Sequence, residues 1–256
     1  MIVPPQAAAA SHVIAEGAVA LPGGFLWLPL ARALLVADAH LGYEDVMGGA
    51  LPLWSTVEAA ATILVAIERM QALEVVFLGD VIHGSLMSEG AARAIVQALD
   101  ALRARVRLTL VAGNHEGRSR GARILGETVE SCERDGWLLL HGDKPGPVGS
   151  RAIIGHLHPS LHMGGGSHAP AFLGSANVIV VPARTPYSSG LDVLSDDCIA
   201  ALAPWNVQRR DLHVVAATSE RVYPFGTLSV LRRELRGAPK RTAGSPYRRK
   251  FLRSDR

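Results

Sequence analysis

Apolar residues in the first half of the chain form short continuous runs separated by stretches with helical spacing. The continuous runs are Ala33–Ala37, Glu74–Leu78 and Arg105–Ala112. Such runs are typical of strands buried on both faces. The helical spacing from Trp54 to Leu73 predicts a helix, and Ser88 is a suitable N-cap for a second helix that ends near Arg103. This β-α-β-α-β order predicts right-handed crossovers and a mostly parallel sheet.

The segments before and after this β-α-β-α-β pattern predict a different arrangement of strands. Short β-like segments at His12–Ala15 and Phe25–Leu30 predict a hairpin at the edge of a sheet. In the second half, short apolar runs between turns rich in glycine and proline predict a second, more antiparallel sheet packed on the first. These runs are Trp137–Leu140, Arg151–Ile154, Ala171–Leu173 and Asn177–Val181. The next predicted helix is Leu228–Leu235, and Gly164–Ser167 is predicted to be a flexible loop.

Composition limits the class of protein. Of the 256 residues, 48% are hydrophobic, which is enough for a sizeable core. The two cysteines match no zinc spacing, and the sequence shows neither a signal peptide nor a membrane-spanning segment, so we expect a cytoplasmic protein. We predict one domain over residues 1–236 and a basic, disordered tail over residues 237–256.

The charge is distributed unevenly. From Pro239 onward the chain carries +6, which leaves −3 for the other residues out of a total of +3. A basic tail on a mildly acidic body suits contact with a polyanion such as DNA. A solvated terminus without a binding role has the same composition, and the sequence leaves both interpretations open.

Five polar clusters each follow an apolar run, or end one. In chain order they are Asp38-Ala-His40, Gly79-Asp80, Gly113-Asn-His-Glu116, His141-Gly142 and Gly155-His-Leu-His158. A single histidine or Gly-Asp at a strand end is usually a solvent-facing residue or a turn. Five clusters in one series at the carboxyl ends of strands, where α/β sheets place reactive groups, indicate one site assembled from loops.

The residue types in these clusters point to a metal site. The donors are carboxylate, amide and imidazole without thiolate, a set that fits Mn²⁺, Fe or Zn²⁺ better than Mg²⁺ or Ca²⁺. They are too many for one tetrahedral ion but suit two ions, which can clamp the attacking and leaving oxygens of a phosphoryl centre. The candidate ligands are Asp38, His40, Asp80, Asn114, His141, His156 and His158. His115 could then serve as a general acid or stabilise charge.

The series resembles the signature of the calcineurin-like metallophosphoesterase superfamily, D-x-H, G-D, G-N-H-D/E, H and G-H-x-H. The resemblance implies an α/β fold, namely a four-layer α/β/β/α sandwich of two mixed sheets. It implies a first metal on Asp38, His40 and His158, a second on Asn114, His141 and His156, and Asp80 as a bridge. By the same resemblance His115 is catalytic and Glu116 is an orienting acid.

Departures from the superfamily pattern narrow the expected substrate. The second motif, Gly79-Asp-Val-Ile-His-Gly84, lacks the arginine of protein serine/threonine phosphatases. Gly155-His-Leu-His-Pro159 and the segment Val181–Val193 are similar to the DNA-ligase-associated phosphoesterases called PdeM. That resemblance implies a nuclease-type activity and an association with DNA-repair proteins.

We therefore expect a two-metal phosphodiesterase, with Mn²⁺ as the favoured ion and nucleic acid as the favoured substrate class. The alternatives are a phosphodiesterase or phosphatase for small nucleotides and a metal-free scaffold. His83 is close enough to Asp80 in sequence to contact the substrate or to support a ligand, although an exposed position fits equally well.

Overall fold

The computed structural model describes residues 10–47, 53–84, 87–115, 120–164 and 166–237. The first sheet contains β1 (His12–Ala15), β2 (Ala18–Ala20), β3 (Leu26–Leu28), β4 (Ala33–Val36), β5 (Glu74–Leu78) and β6 (Arg107–Val111), in this order. The pairs β4–β5 and β5–β6 are parallel, as the β-α-β-α-β pattern predicts. The first four strands are antiparallel neighbours, so the sheet as a whole is mixed.

The helices of the first half are α1 (Tyr43–Val46), α2 (Trp54–Met70) and α3 (Glu89–Arg103). The predicted N-cap of α3 is confirmed, because Ser88 Oγ accepts a hydrogen bond from the Ala91 amide at 3.1 Å. The prediction that α2 extends to Leu73 is wrong. Gln71 adopts a left-handed conformation (φ 51°) and ends the helix after Met70.

The second sheet contains β7 (Ser131–Arg134), β8 (Trp137–Leu140), β9 (Ala152–Ile154), β10 (Pro159–Gly164), β11 (Ser167–Gly174), β12 (Val178–Val180), β13 (Leu191–Asp192), β14 (His213–Ala217) and β15 (Val222–Thr227). Its order is β13-β10-β11-β12-β9-β8-β7, and β14 pairs with β11 and β15. Parallel pairing joins β8 to β9 and β9 to β12, whereas most other pairs are antiparallel. The predicted second mixed sheet is confirmed.

Three apolar cores separate the layers. The first lies between α2, α3 and one face of the first sheet, where Leu34 and Val36 are buried. The opposite face of β4 presents Leu35 to a second core between the two sheets, which also contains Trp137 and Phe172. The third core lies between the second sheet and the helices α5 (Asp196–Leu202) and α6 (Leu228–Gly237). Alternate residues of one strand thus face different cores, and the layer order is α/β/β/α.

Several predicted elements differ from the structure. The N-terminal region is a three-strand meander rather than a single hairpin, since β2 lies between β1 and β3. Gly164 ends β10 and pairs with Ser167 at the start of β11, so these two residues of the predicted loop belong to the β10–β11 hairpin. Helices α4 (Arg120–Leu125) and α5 were not predicted. β6 is buried only near its end, because it forms the edge of its sheet.

None of the helices in the described part of the chain combines the length and apolar character needed to cross a bilayer. The tail that begins near residue 237 lies outside the described residues, apart from the last residue of α6.

Candidate metal centre

The predicted polar residues meet at one edge of the sandwich. Asp38 and His40 follow β4, Asp80 follows β5, Asn114 and His115 follow β6, His141 follows β8, and His156 and His158 follow β9. Strands β4, β5 and β6 are parallel to one another, as are β8 and β9. Their carboxyl ends therefore lie at the same edge, and residues far apart in sequence come within contact distance.

Left-handed backbone is concentrated at this edge. Among the described residues, nine non-glycine residues have positive φ, and five of them are candidate ligands. The five are Asp38 (47°), His40 (45°), Asp80 (42°), His156 (61°) and His158 (44°). This conformation costs roughly 1–2 kcal/mol for a non-glycine residue, so it persists where the surroundings require it. Because β4 ends at Val36, Asp38 and His40 do not continue an extended strand.

One group that can hold a metal ion consists of Asp38, His40 and His158, whose donor atoms all lie within 4.8 Å of one another. His158 Nε2 lies 3.5 Å from Asp38 Oδ1. The other ring nitrogen of His158 lies 3.0 Å from Ser188 Oγ. This contact orients the ring and leaves Nε2 directed at the group, as an outer partner does for a metal-bound histidine.

A second group consists of Asp80, His141 and His156. His141 Nε2 lies 3.5 Å from Asp80 Oδ2 and 3.1 Å from His156 Nδ1. Asn114 Oδ1 lies 2.8 Å from the same His141 nitrogen, so the amide belongs to this group. The structure thus brings together all seven candidate ligands in two groups.

The donor chemistry of these groups fits a cation. His141 Nδ1 lies 3.0 Å from the Leu78 carbonyl oxygen and can donate a hydrogen bond to it, which leaves Nε2 as the ring nitrogen available to a metal ion. That nitrogen faces an amide oxygen, a carboxylate and another imidazole. In addition, Asp38 Oδ1 is buried without a hydrogen-bond donor. Among the described residues, no lysine or arginine forms an ion pair with Asp38 or Asp80. A divalent ion in each group would satisfy these acceptors.

Burial keeps several rings at the centre neutral. The pKa of His40 is lowered to about 3, because burial and the neighbouring His158 ring disfavour protonation, although Asp80 acts in the opposite direction. Burial, together with a nearby imidazole, also lowers the pKa of His83 and of His156. Neutral imidazole is the form that binds a metal.

Two glycines allow the close approach of these groups. A Cβ atom at Gly79 would lie 2.3 Å from His141 Nδ1, and one at Gly155 would lie 2.6 Å from Asp38 Oδ2. Each glycine lies next to a candidate ligand on its own sheet and is crowded by a ligand from the other sheet. A larger residue at Gly79 would displace the side chain of His141, and one at Gly155 would displace that of Asp38.

His115 lies beside the two groups and belongs to neither. Its backbone amide donates to Asp80 Oδ1 at 3.0 Å, while its ring is 46% exposed with Nε2 3.8 Å from Asp80 Oδ2. The ring is therefore fixed at the mouth of the centre with one side open to solvent. Glu116, the predicted orienting acid, lies outside the described residues.

His83 contacts the centre, and two tyrosines extend the contact outward. His83 Nδ1 lies 3.0 Å from His40 Nδ1, and its ring stacks near His115 with centroids 5.5 Å apart. Tyr43 packs on His83, and Tyr187 stacks on Tyr43. Sequence reasoning missed both tyrosines and Ser188. Their positions in the sequence could have indicated them. Tyr43 lies three residues after His40, and Tyr187 and Ser188 directly follow Val181–Pro186.

Known proteins are similar to this chain in sequence pattern and in fold. The family model of calcineurin-like phosphoesterases matches residues 31–227. The crystal structure of the Pseudomonas putida nuclease MPE is similar with a TM-score of 0.59 at 21% identity, covering 81% of this chain and 94% of that one. Yfce, a phosphoesterase from E. coli, is similar with a TM-score of 0.36 at 19% identity, covering 62% of this chain and 81% of that one. No curated protein sequence matches the chain.

Proposed function

Because the chain belongs to the calcineurin-like phosphoesterase family and is a metal-dependent hydrolase of phosphate esters, we propose that it cleaves phosphodiester bonds of nucleic acid with two divalent ions. The observation that carries this proposal is the pair of adjacent carboxylate–imidazole groups. Two groups side by side suit a phosphoryl centre, whose attacking and leaving oxygens both need charge neutralisation.

The proposed ligand sets follow the two groups. Asp38, His40 and His158 would hold one ion, and His141, His156 and Asn114 would hold the other. Asp80 would contact both ions. The absence of thiolate and the presence of four imidazoles support Mn²⁺, Fe or Zn²⁺, with Mn²⁺ as the favoured ion. When bound, the ions supply charge neutralisation at the phosphoryl oxygens and activation of a water nucleophile.

The chain itself supplies a proton donor for the leaving oxygen. The His115 ring faces solvent at the mouth of the centre, and its backbone amide is tied to Asp80. An imidazole held in this way can donate a proton to the departing ester oxygen or stabilise its charge. His115 thus acts on the substrate, while the seven ligands position the ions.

Three observations support nucleic acid as the substrate class. The segment from Pro239 to Arg256 carries +6 and suits a phosphate backbone. In addition, the structural neighbour MPE is described as a nuclease, and its fold covers most of this chain. The late segment Val181–Val193, which resembles the DNA-ligase-associated branch, supplies Ser188 to orient His158.

The proposal is tested with the Mn²⁺-loaded protein and a panel of single-stranded DNA, RNA, cyclic nucleotides and a chromogenic diester. The His115→Ala variant should keep both ions and lose turnover by a factor on the order of 10²–10⁴. His213→Ala is the matched control, since His213 is an exposed histidine on β14, and it should retain wild-type turnover. Loss of metal from His115→Ala would show that His115 is a ligand, and the assigned roles would be wrong.

The tail provides a separate test of the substrate class. Deletion of Lys240–Arg256 should weaken binding to DNA of any sequence. The slope of log affinity against log salt should flatten by about one unit for each phosphate that the tail neutralises in the intact protein. Hydrolysis of the chromogenic diester should not change, because the deleted segment contributes no candidate ligand. Equal DNA affinity and salt slope with and without the tail would argue against a nucleic-acid role for this segment.

A further inference from the structure

A continuous series of aromatic rings runs outward from the metal centre. The His40 and His83 rings have centroids 4.9 Å apart, His83 and Tyr43 are 4.5 Å apart, and Tyr43 and Tyr187 are 4.5 Å apart. The last pair is nearly parallel, with 9° between the ring planes. We call this series the ring ladder. Its inner end is a candidate metal ligand and its outer end is Tyr187.

Tyr187 presents an open aromatic face. One face of the ring stacks on Tyr43, yet 44% of the residue is exposed. A large aromatic side chain usually buries its face in a core or an interface, because exposed apolar area is unfavourable. Here the ring is held flat at the surface beside a candidate active site.

The ring is also held firmly from behind. Burial acts to raise the pKa of Glu44, but hydrogen bonds from Ser55 and Tyr187 outweigh it and lower the pKa. The Ser55 amide donates to Glu44 Oε1 at 2.8 Å, which fixes the carboxylate at the start of α2. The next residue after Tyr187 is Ser188, whose hydroxyl contacts His158. Tyr187 is thus held through its inner face, which stacks on Tyr43, and through its neighbour in sequence.

We infer that Tyr187, backed by Tyr43, is the stacking platform for a nucleobase of the substrate. This inference rests on the proposed function and identifies how that site selects its substrate. Every base has a π-face, so an open tyrosine ring binds bases with little sequence preference. The sum of the three centroid–centroid distances in the ring ladder is an upper limit on the distance between the ring centroids of His40 and Tyr187. A short stretch of nucleotides can cover that distance while its phosphate lies at the metal centre.

The experiment measures binding of short oligonucleotides in the His115→Ala background with Mn²⁺, so that turnover does not interfere. The probes are a fluorescent tetranucleotide and a series in which each position in turn lacks its base. In the parent background, removal of the base at one position should weaken binding on the order of tenfold. The Tyr187→Leu variant should show no such difference between the probes, and Tyr187→Phe should restore it.

Trp205→Leu is the matched control, because Trp205 packs with the helical layer of the second sheet and lies outside the ring ladder. It should keep the difference between the probes. The inference is overturned if Tyr187→Leu discriminates between the probes as the parent does. It is also overturned if that variant loses metal, since Tyr187 would then act only through Ser188 and His158. A wild-type protein that cleaves no phosphodiester in the panel would instead overturn the proposed function.

Discussion

The two ends of strand β5 carry buried carboxylates in opposite electrostatic settings. Glu74 begins the strand and is fully buried. It accepts hydrogen bonds from Arg134 at 2.7 Å, from Thr109 at 2.6 Å and from Arg107 at 3.2 Å. Asp80 follows the other end of the strand and is 2% exposed. Its neighbours include the backbone amide of His115 and the imidazole rings of His115 and His141.

The difference shows which charge the protein supplies for itself. Burial acts to raise the pKa of Glu74, but hydrogen bonds from Arg134, Thr109 and Arg107 outweigh it and lower the pKa to about 2. The chain therefore neutralises this carboxylate with its own arginines, one of which comes from β7 of the other sheet. At the opposite end, no lysine or arginine among the described residues forms an ion pair with Asp38 or Asp80. A cation from solution can complete that end.

The largest expected effect follows from removing a charge at the metal end. The Asp80→Asn variant keeps the acceptor for the His115 amide but loses the charge proposed to contact both ions. Turnover should fall by about 10³-fold or more, equivalent to about 4 kcal/mol of activation free energy. Metal content, measured by elemental analysis, should also fall. Full activity with two bound ions would contradict the assigned centre.

The next largest effect lies at the arginine end. The Arg134→Met variant leaves Glu74 buried with only the more exposed Arg107 as a cationic partner. The free energy of unfolding in urea should fall by about 3 kcal/mol, since removing one partner of a buried ion pair is costly. Metal content and turnover of the folded protein should remain at wild-type values. A loss of metal would mean that the two ends of β5 are not independent.

A smaller effect of opposite sign is expected for Asp38→Asn without metal. Asp38 Oδ1 is buried without a donor, and it lies 3.5 Å from His158 Nε2. An amide nitrogen in its place can donate to that ring nitrogen. In EDTA the variant should therefore be more stable than the wild type by about 1–2 kcal/mol. Glu74→Gln is the matched control and should be less stable than the wild type. Stability changes of the same sign for both variants would contradict the proposed contrast between the two ends of β5.

The smallest effect is the pH dependence of the arginine end. The folded-state pKa of Glu74 lies near 2 and its ordinary value is 4.5, so its stabilising contribution is complete above about pH 4.5. As the pH falls from 4.5 towards 2, the wild type should lose stability relative to Glu74→Gln. The slope of the unfolding free energy against pH should correspond to a difference of about one bound proton between the unfolded and folded states. Urea unfolding at pH 7, 5 and 3.5 measures this slope. A difference that stays constant down to pH 3.5 would contradict the lowered pKa.

Sequence patterns predicted the elements whose formation depends on residues close together in the chain. Continuous apolar runs located β4 and β5, and Ser88 located the start of α3. Helix α5 carries a comparable signal, because Ser195 caps it and two aspartates fill its first turn. The first part of β11 was missed, since its first two residues, Ser167 and His168, are polar and exposed.

The contacts that complete each end of β5 depend on how the two sheets dock. Arg134 reaches Glu74 across 60 residues, and Ser188 reaches His158 across 30. No periodicity along the chain encodes such pairs. The candidate ligands could be named in advance because each follows a strand end, and the superfamily resemblance already implied their division into two groups. The distances between their donor atoms required the structure.

The division of each ligand group between the sheets has a kinetic consequence. Asp38, His40 and Asp80 belong to the first half of the sandwich, and His141, His156 and His158 belong to the second. Neither half alone offers a complete binding site, so an ion cannot template the folding of either one. It can bind only after the halves have docked. The ion should therefore slow the rate of unfolding and leave the rate of folding nearly unchanged, because its contacts form after the transition state.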